Sequence, residues 1–283
     1  MIVVRTVAEL REARAALPGS VGFVPTMGAL HEGHASLVTA ARGESASVVA
    51  SVFVNPTQFG PTEDFTRYPR NESADLAMLE SLGVDLAFLP SVREMYRAGA
   101  TTFVDIGRLG EVLEGAARPG HFRGVATVVT KLFSIVQPDR AYFGQKDGQQ
   151  SVVVRRLVRD LALPVAIVIC RTVREPDGLA LSSRNRYLTP EERAQAPALY
   201  RALKTAAKAA TGGERSADKL RSLMLDALAL ATLGKPDYVS IADAETLEEL
   251  SVLDRPALAS LAVRFPSARL IDCQPLERQP NNQ

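Results

Sequence analysis

Val21-Gly22-Phe23-Val24-Pro25-Thr26-Met27-Gly28-Ala29-Leu30-His31-Glu32-Gly33-His34 carries an apolar run through a glycine-bearing turn into a helical segment. The run Val21–Val24, ending at Pro25, reads as a buried strand, and His31 to about Arg42 reads as a helix. A strand that empties into a helix N-terminus through glycines is the first half of a strand–helix–strand unit. Working outward, the same alternation recurs. Thr6 and Glu9 form a capping box that opens a helix to about Ala16, and Pro18-Gly19 stops it. Ser47–Val54 is rich in β-branched residues, as the central strand of a parallel sheet should be. Asn71–Leu82 reads as a helix with Gly83 beyond its end, and Leu86–Leu89 as a strand ending at Pro90. Val125–Val136 has the apolar density of a buried helix. Ala141–Phe143, Gln149–Asp160 and Val165–Cys170 then read as strand, helix and strand. The expected fold is therefore α/β: a Rossmann-like, mostly parallel sheet with helices on both faces and right-handed crossovers.

The later residues have another rhythm. Thr189-Pro190-Glu191-Glu192 is a helix start, and the helix should run to about Ala210, before Gly212-Gly213. A second helix is expected over Ala217–Leu230, followed by strands at Tyr238–Ile241, Leu258–Phe265 and Arg269–Cys273. Helices followed by strands imply a smaller C-terminal α+β domain. The expected division is 1–174 and 175–283, with a polar tail at 279–283.

Composition narrows the function. The 283 residues carry 33 Lys and Arg against 32 Asp and Glu, a net charge of +1, so no basic footprint for nucleic acid is present. Hydrophobic residues at 46% and charged residues at 23% describe a globular chain rather than a disordered one. The 2 cysteines cannot build a disulfide framework, and Cys170 and Cys273, inside apolar runs, read as small buried core residues. No segment reads as a signal peptide or a membrane span, so the expected location is the cytoplasm. The 3 histidines all fall in segments that look chemical.

Ligands of parallel sheets bind beyond the carboxyl ends of the strands, so the loops after Val24, Val54, Phe143 and Cys170 are where function is expected. In the first, Gly28 and Gly33 permit close backbone approach, and a helix N-terminus favours an anion. His31 and His34 share a helical face and could stabilise charge developing on a phosphate. The pair could also hold a metal, though two ligands with only His121 elsewhere are too few for a zinc site, or it could lie on an ordinary turn. The second loop, Asn55-Pro56-Thr57-Gln58-Phe59-Gly60, offers Gln58 as a neutral donor and acceptor, or else a solvated turn residue. In the third, Arg118-Pro119-Gly120-His121 precedes a helix, and Gly144-Gln145-Lys146-Asp147-Gly148-Gln149-Gln150 follows a strand. Lys146 suits a phosphate and Asp147 a ribose hydroxyl, although a lone lysine is more often solvated. In the fourth, Val173 and Leu181-Ser182-Ser183-Arg184-Asn185 combine two hydroxyls with an arginine able to grip oxygens bidentately.

His31-Glu32-Gly33-His34 resembles the His-x-Gly-His signature of the nucleotidyltransferase superfamily, which includes class I aminoacyl-tRNA synthetases. The ten residues around it resemble the first motif of the pantothenate synthetase (pantoate–β-alanine ligase) family. The other three segments occur in that family's order, from about Arg5 to Glu192. The resemblance implies a homodimeric ligase that joins pantoate to β-alanine through pantoyl adenylate, with ATP as co-substrate and Mg²⁺ accompanying it. It implies ATP binding by Met27, Gly28, Ala29, Leu30, His31, Glu32, Gly33, His34, Gly144, Gln145, Lys146, Asp147, Val173, Leu181, Ser182, Ser183 and Arg184. Among these His34, His31, Lys146 and Arg184 would be catalytic. It implies pantoate at Gln58 and Gln150 and β-alanine at Gln58, with no metal ligands in the protein itself. Ser182–Arg184 would correspond to the mobile Lys-Met-Ser-Lys-Ser loop of the synthetases. Two residues depart from the family: Gln145 where it commonly has Glu, and Gly148 where it has Tyr. An adenylyl- or cytidylyltransferase, a synthetase-derived RNA-binding module and a silent nucleotide sensor are the competing functions.

Overall fold

A computed structural model describes residues 1–61 and 63–276; the expected tail at 279–283 lies outside them. The chain forms two compact units, one of residues 1–144 and 153–170 and the other of 145–152 and 171–283.

The first unit is built on a six-stranded sheet of β1 (Ile2–Val4), β2 (Val21–Thr26), β3 (Ser47–Val52), β4 (Leu86–Phe88), β5 (Arg140–Gly144) and β6 (Ala166–Cys170). Its order is β1-β4-β3-β2-β5-β6, and every pairing is parallel. The alternating expectation for this half is met. The very short β1 lacked enough sequence to be seen beforehand. β2 continues through Pro25 to Thr26 rather than ending at Pro25. Its ladder with β5 covers only Gly22 and Phe23, so the missing proline N–H lies where β2 pairs with β3 alone.

Helices α1 (Val7–Ala15), α2 (Glu32–Glu44), α3 (Glu72–Ser81), α4 (Val92–Met95), α5 (Glu114–Ala117), α6 (His121–Val136) and α7 (Gly148–Asp160) follow in chain order. The first turn of α7 groups with the second unit. Strand periodicity sends adjacent residues to opposite faces. Phe23 meets Phe133 of α6 edge-on, whereas Val24 packs with Leu37, Val38 and Ala41 of α2. Helices therefore cover both faces. α6 begins at His121, not Val125, because Gly120 at φ +82° serves as its N-cap. Cys170 corrects an expectation: it is only partly buried, because β6 is an edge strand.

The second unit contains α8 (Pro190–Gln195), α9 (Ala198–Thr211) and α10 (Ala217–Leu228), with antiparallel strands β7 (Lys235–Asp243), β8 (Ala257–Arg264) and β9 (Arg269–Leu276) in the order β7-β8-β9. The single helix expected to run to Ala210 is two helices, because Pro197 supplies no N–H and restarts the chain as the N-cap of α9. Leu199, Leu203 and Ala206 of α9 and Leu220 and Met224 of α10 cover Ala259, Leu261 and Val263 of β8. Cys273 is buried, as expected. Among the described residues no helix is long and apolar enough to cross a membrane.

Candidate active site

From β2 the chain steps to β3 and β4 on one side and then returns to β5 on the other, so the sheet reverses direction at β2/β5. Open α/β sheets place ligands at such a switch point. There Gly28 (φ +78°) and Ala29 (φ +51°) turn the chain left-handed straight after β2. Glycine is needed at 28 twice over, since a Cβ would also sit 2.9 Å from Asp75 Oδ2. Ala29 bears strain of about 1 kcal/mol in this region. The compensation comes from the buried Asp75 carboxylate of α3, which accepts the N–H groups of Ala29 at 3.0 Å and Leu30 at 2.8 Å. Both amides are used internally, so these residues offer a phosphate their shape rather than their donors. Nothing local in the sequence marks Asp75; it is an acidic residue in the first turn of an unremarkable helix.

His31 is the N-cap of α2, and its Nδ1 accepts the Gly33 N–H at 3.1 Å. His34 Nδ1 accepts the His31 N–H at 3.4 Å in return, making a reciprocal capping box out of two imidazoles. Their ring centroids are 4.2 Å apart. Because both Nδ1 atoms act as acceptors, the proton of each imidazole belongs on Nε2. Two Nε2–H donors thus start from a helix N-terminus whose dipole favours negative charge.

Gln58 ends the 3-10 turn Pro56–Gln58 after β3 and is buried rather than solvated. Its Oε1 accepts from Asn55 Nδ2 at 3.0 Å, and its Nε2 donates to Met27 Sδ at 3.0 Å, which joins the first and second motifs. Asn55, 1% exposed, is an organising residue that sequence reasoning passed over. Its Oδ1 accepts from Thr57 Oγ1 at 2.9 Å and Tyr96 OH at 2.8 Å, and its Nδ2 also donates to the Gly124 carbonyl at 3.2 Å. Gly124 lets α6 approach this turn; a Cβ there would collide with the Thr57 carbonyl oxygen.

His121 and Arg118 lie against the same turn. Burial, then the charge of Arg118, push the His121 imidazolium down to about 4, against the pull of Gln58 O, Glu63 and Glu114. The unfolded chain binds this proton near 6.5 and the native one only near 4, so stability falls as pH drops from 6.5 toward 4. We expect His121 to account for about 1–3 kcal/mol of the acid loss, read by denaturant unfolding at pH 7 and pH 4.5. His121→Asn should flatten the slope by that amount.

In the second unit, Lys146 Nζ lies 3.6 Å from Asp147 Oδ1, and the turn they occupy is seated on Cys273 of β9. The Cys273 thiol donates to the Gln145 carbonyl at 2.8 Å, and the Gln145 amide donates to Cys273 Sγ at 3.6 Å. A Cβ on Gly148 would fall 2.6 Å from Cys273 Sγ and 2.8 Å from Leu258 Cδ2. Both departures from the family pattern therefore meet at one thiol, which fills the space a larger residue at 148 would need. Burial and the charge of Asp272 push this thiol up to about 12, so it is inert. Gly148→Ala should destabilise by about 1–3 kcal/mol by overpacking, although Gly→Ala in a helix normally stabilises. Thermal unfolding of Gly148→Ala alone and with Cys273→Ala, which removes the nearest atom, checks this; the double variant should recover part of the loss.

Leu181 N–H donates to Val173 O at 3.0 Å, and Arg174 bridges Ala180, so Val173–Leu181 is a small hairpin. Arg174 grips the buried Asp272 at 2.6 and 3.0 Å and stacks on Tyr200 at 4.1 Å. Burial pushes the Asp272 carboxyl up despite this partner. Ser182 caps the 3-10 turn Ser183–Tyr187 by accepting from the Arg184 N–H at 3.3 Å. Asn185 donates to Ala180 O at 3.0 Å. Ser182, Ser183 and Arg184 thus lie on a short turn with a firm foot, all three half-buried. Gln150, also half-buried, lies in the first turn of α7, close in sequence to Lys146 and Asp147.

Residues 2–275 match the family model described as pantoate-beta-alanine ligase. The chain belongs to the pantoate–β-alanine ligase family. As a member it is an enzyme of this ligase class. It is 62% identical over 273 residues to the pantothenate synthetase of Chloroflexus aggregans, covering 96% of this chain and 98% of that one. It is 54% identical over 275 residues to that of Thermotoga neapolitana, again covering 96% and 98%. The crystal structure of pantothenate synthetase from Thermus thermophilus superposes with a TM-score of 0.93 at 55% identity, over 98% of this chain and all of that one. The pantoate-β-alanine ligase from Francisella tularensis, complexed with β-γ ATP and β-alanine, superposes with a TM-score of 0.81 at 34% identity, over 99% of this chain and 100% of that one. The ligase family thus spans both units.

Among the described residues no group of three or more His, Cys, Asp or Glu could hold a metal ion.

Proposed function

We propose that this ligase works in two steps, with free AMP as a product. The pantoate carboxylate attacks the α-phosphorus of ATP, giving pantoyl adenylate and pyrophosphate. The β-alanine amine then attacks the acyl carbon, giving pantothenate and AMP. The observation that carries this reading is the pair of imidazoles, His31 and His34, that cap α2 at the switch point of the sheet and can present Nε2–H donors to a phosphate. A carboxylate is already ionised at neutral pH and needs no base, so the first step calls for positioning and for donors toward the phosphates.

In this reading ATP is held by Met27, Gly28, Ala29, Leu30, His31, Glu32, Gly33 and His34 of the first motif and by Gly144, Gln145, Lys146 and Asp147 of the third. Val173, Leu181, Ser182, Ser183 and Arg184 complete the set. His34 donates a proton toward the phosphates, His31 assists, and Lys146 and Arg184 neutralise negative charge. Asp147 meets the ribose. Mg²⁺ comes with ATP and contributes charge neutralisation. Gln58 and Gln150 hold pantoate, and Gln58 also meets β-alanine. A cytoplasmic homodimer completes the reading, on the family resemblance alone.

The neutrality of Gln58 and Gln150 has a physical rationale. An arginine would stabilise the ground-state carboxylate and blunt its attack, whereas amides orient it without that cost. Gln150→Arg should therefore slow single-turnover adenylate formation by about tenfold or more. An unchanged or faster rate would sink the argument. The function as a whole is tested by incubating the protein with ATP, Mg²⁺, pantoate and β-alanine and scoring AMP and pantothenate. Without β-alanine, pyrophosphate release should stall after about one turnover. A nucleotide-linked product in place of AMP would overturn the reading.

A further inference from the structure

The motif Arg118-Pro119-Gly120-His121 takes no part in the chemistry above, yet its side chains converge on the backbone of Gln58. His121 Nδ1 lies 2.8 Å from the Gln58 carbonyl oxygen. A carbonyl only accepts, so Nδ1 must carry the proton. Arg118 Nη1 lies 3.2 Å from His121 Nε2, and guanidinium only donates, so Nε2 must be the bare, accepting nitrogen. The two contacts therefore specify one tautomer of a neutral ring, opposite to that of His31 and His34. Arg118 also donates from Nη2 to the Gln58 carbonyl at 3.3 Å. It is itself oriented by Glu63, at 2.8 Å through Nε and 2.5 Å through Nη2. Burial pushes the Glu63 carboxyl up, but the hydrogen bonds and charge of Arg118, followed by smaller contributions from His121 and the Gly60 N–H, outweigh it and leave Glu63 below the usual carboxylate range.

Gln58 is thus held from two sides. Asn55 and Met27 fix its side-chain amide, and the relay Glu63–Arg118–His121 fixes the carbonyl of the same residue. We infer that His121, as the neutral Nδ1–H tautomer set by Arg118 and Glu63, is a positioning residue that holds the Gln58 turn in register for pantoate and β-alanine. This rests on the reading of Gln58 as the pantoate-binding amide. A ring that gained a second proton would aim an Nε2–H at the Arg118 guanidinium, so the relay works only with the neutral form. The burial that disfavours that proton serves the same end.

The test combines kinetics with a tautomer measurement on the full-length enzyme. His121→Leu removes the donor, whereas His121→Asn returns an amide N–H near the place of Nδ1. His121→Leu should raise the KM for pantoate about tenfold with the KM for ATP within about twofold, and His121→Asn should recover most of the loss. Long-range ¹H–¹⁵N spectra of the wild type at pH 7.5 should show His121 protonated on Nδ1. An Nε2–H tautomer, an unchanged pantoate KM in His121→Leu, or an Asn variant no better than Leu would each overturn the inference. The spectrum decides even if His121→Leu fails to fold. Gln58→Ala separates the two layers. An unchanged pantoate KM there removes Gln58 from the pantoate site and the positioning role with it. A raised KM there with normal His121→Leu kinetics overturns the role of His121 alone.

Discussion

His34→Ala slows pyrophosphate release from ATP and pantoate by about 10²–10³, the cost of removing one preorganised donor from a site where negative charge builds up. The substitution takes away an Nε2–H donor aimed from a helix N-terminus. It also takes away the Nδ1 acceptor of the His31 N–H, loosening the cap that orients His31. Loss of such a cap costs about 1 kcal/mol, so the melting temperature should fall by only about 2–4 °C. Rapid-quench single-turnover measurements alongside a thermal melt separate the two effects. A rate near that of wild type would remove His34 from the chemistry. His34→Asn refines the result, because its carbonyl can still accept the His31 N–H. It should restore the melting temperature without restoring the rate.

Asp75→Ala should be nearly as damaging although Asp75 belongs to no motif. It strips the partners from two N–H groups, at Ala29 and Leu30, in a turn whose left-handed backbone is held by those bonds. Each unpaired buried group costs about 1–3 kcal/mol, and relaxation of the turn will convert part of that stability cost into displacement. Displacement of about 1 Å at a positioning loop is enough to cost about 10² in rate. The expected outcome is a drop in activity of at least that size together with a lower melting temperature. Asp75→Asn, which keeps one acceptor, should fall between. Full activity in Asp75→Ala would mean that the turn holds its shape unaided.

The physical basis of both effects shows how far the sequence can be read. Strand β2 with its glycine turn, the β-branched run of β3 and the capping box at Thr6 were legible because they rest on local rules: residue periodicity, turn chemistry and capping. So was the closeness of His31 and His34, three residues apart at one helix start. Their tautomers were not legible, since those depend on which nitrogen meets a backbone N–H. The break at Pro197 could have been read from the proline itself, which a helical pattern on both sides masked. The start of α6 at His121 depended on Gly120 taking a left-handed φ, a choice the glycine permits without requiring it.

What the sequence by itself determined was the α/β class, the four segments that carry the family pattern, and the residue types suited to phosphate chemistry. Tertiary structure alone decided that Asp75 holds the first loop, that Asn55 and His121 fix the two ends of Gln58, and that Gln145 and Gly148 both answer to Cys273. These pairings join residues far apart in the chain, 46 positions for Asp75 and Ala29 and 128 for Cys273 and Gln145. No local rule links such positions. Only the packing of strands and helices brings a buried acceptor to the donor it must satisfy.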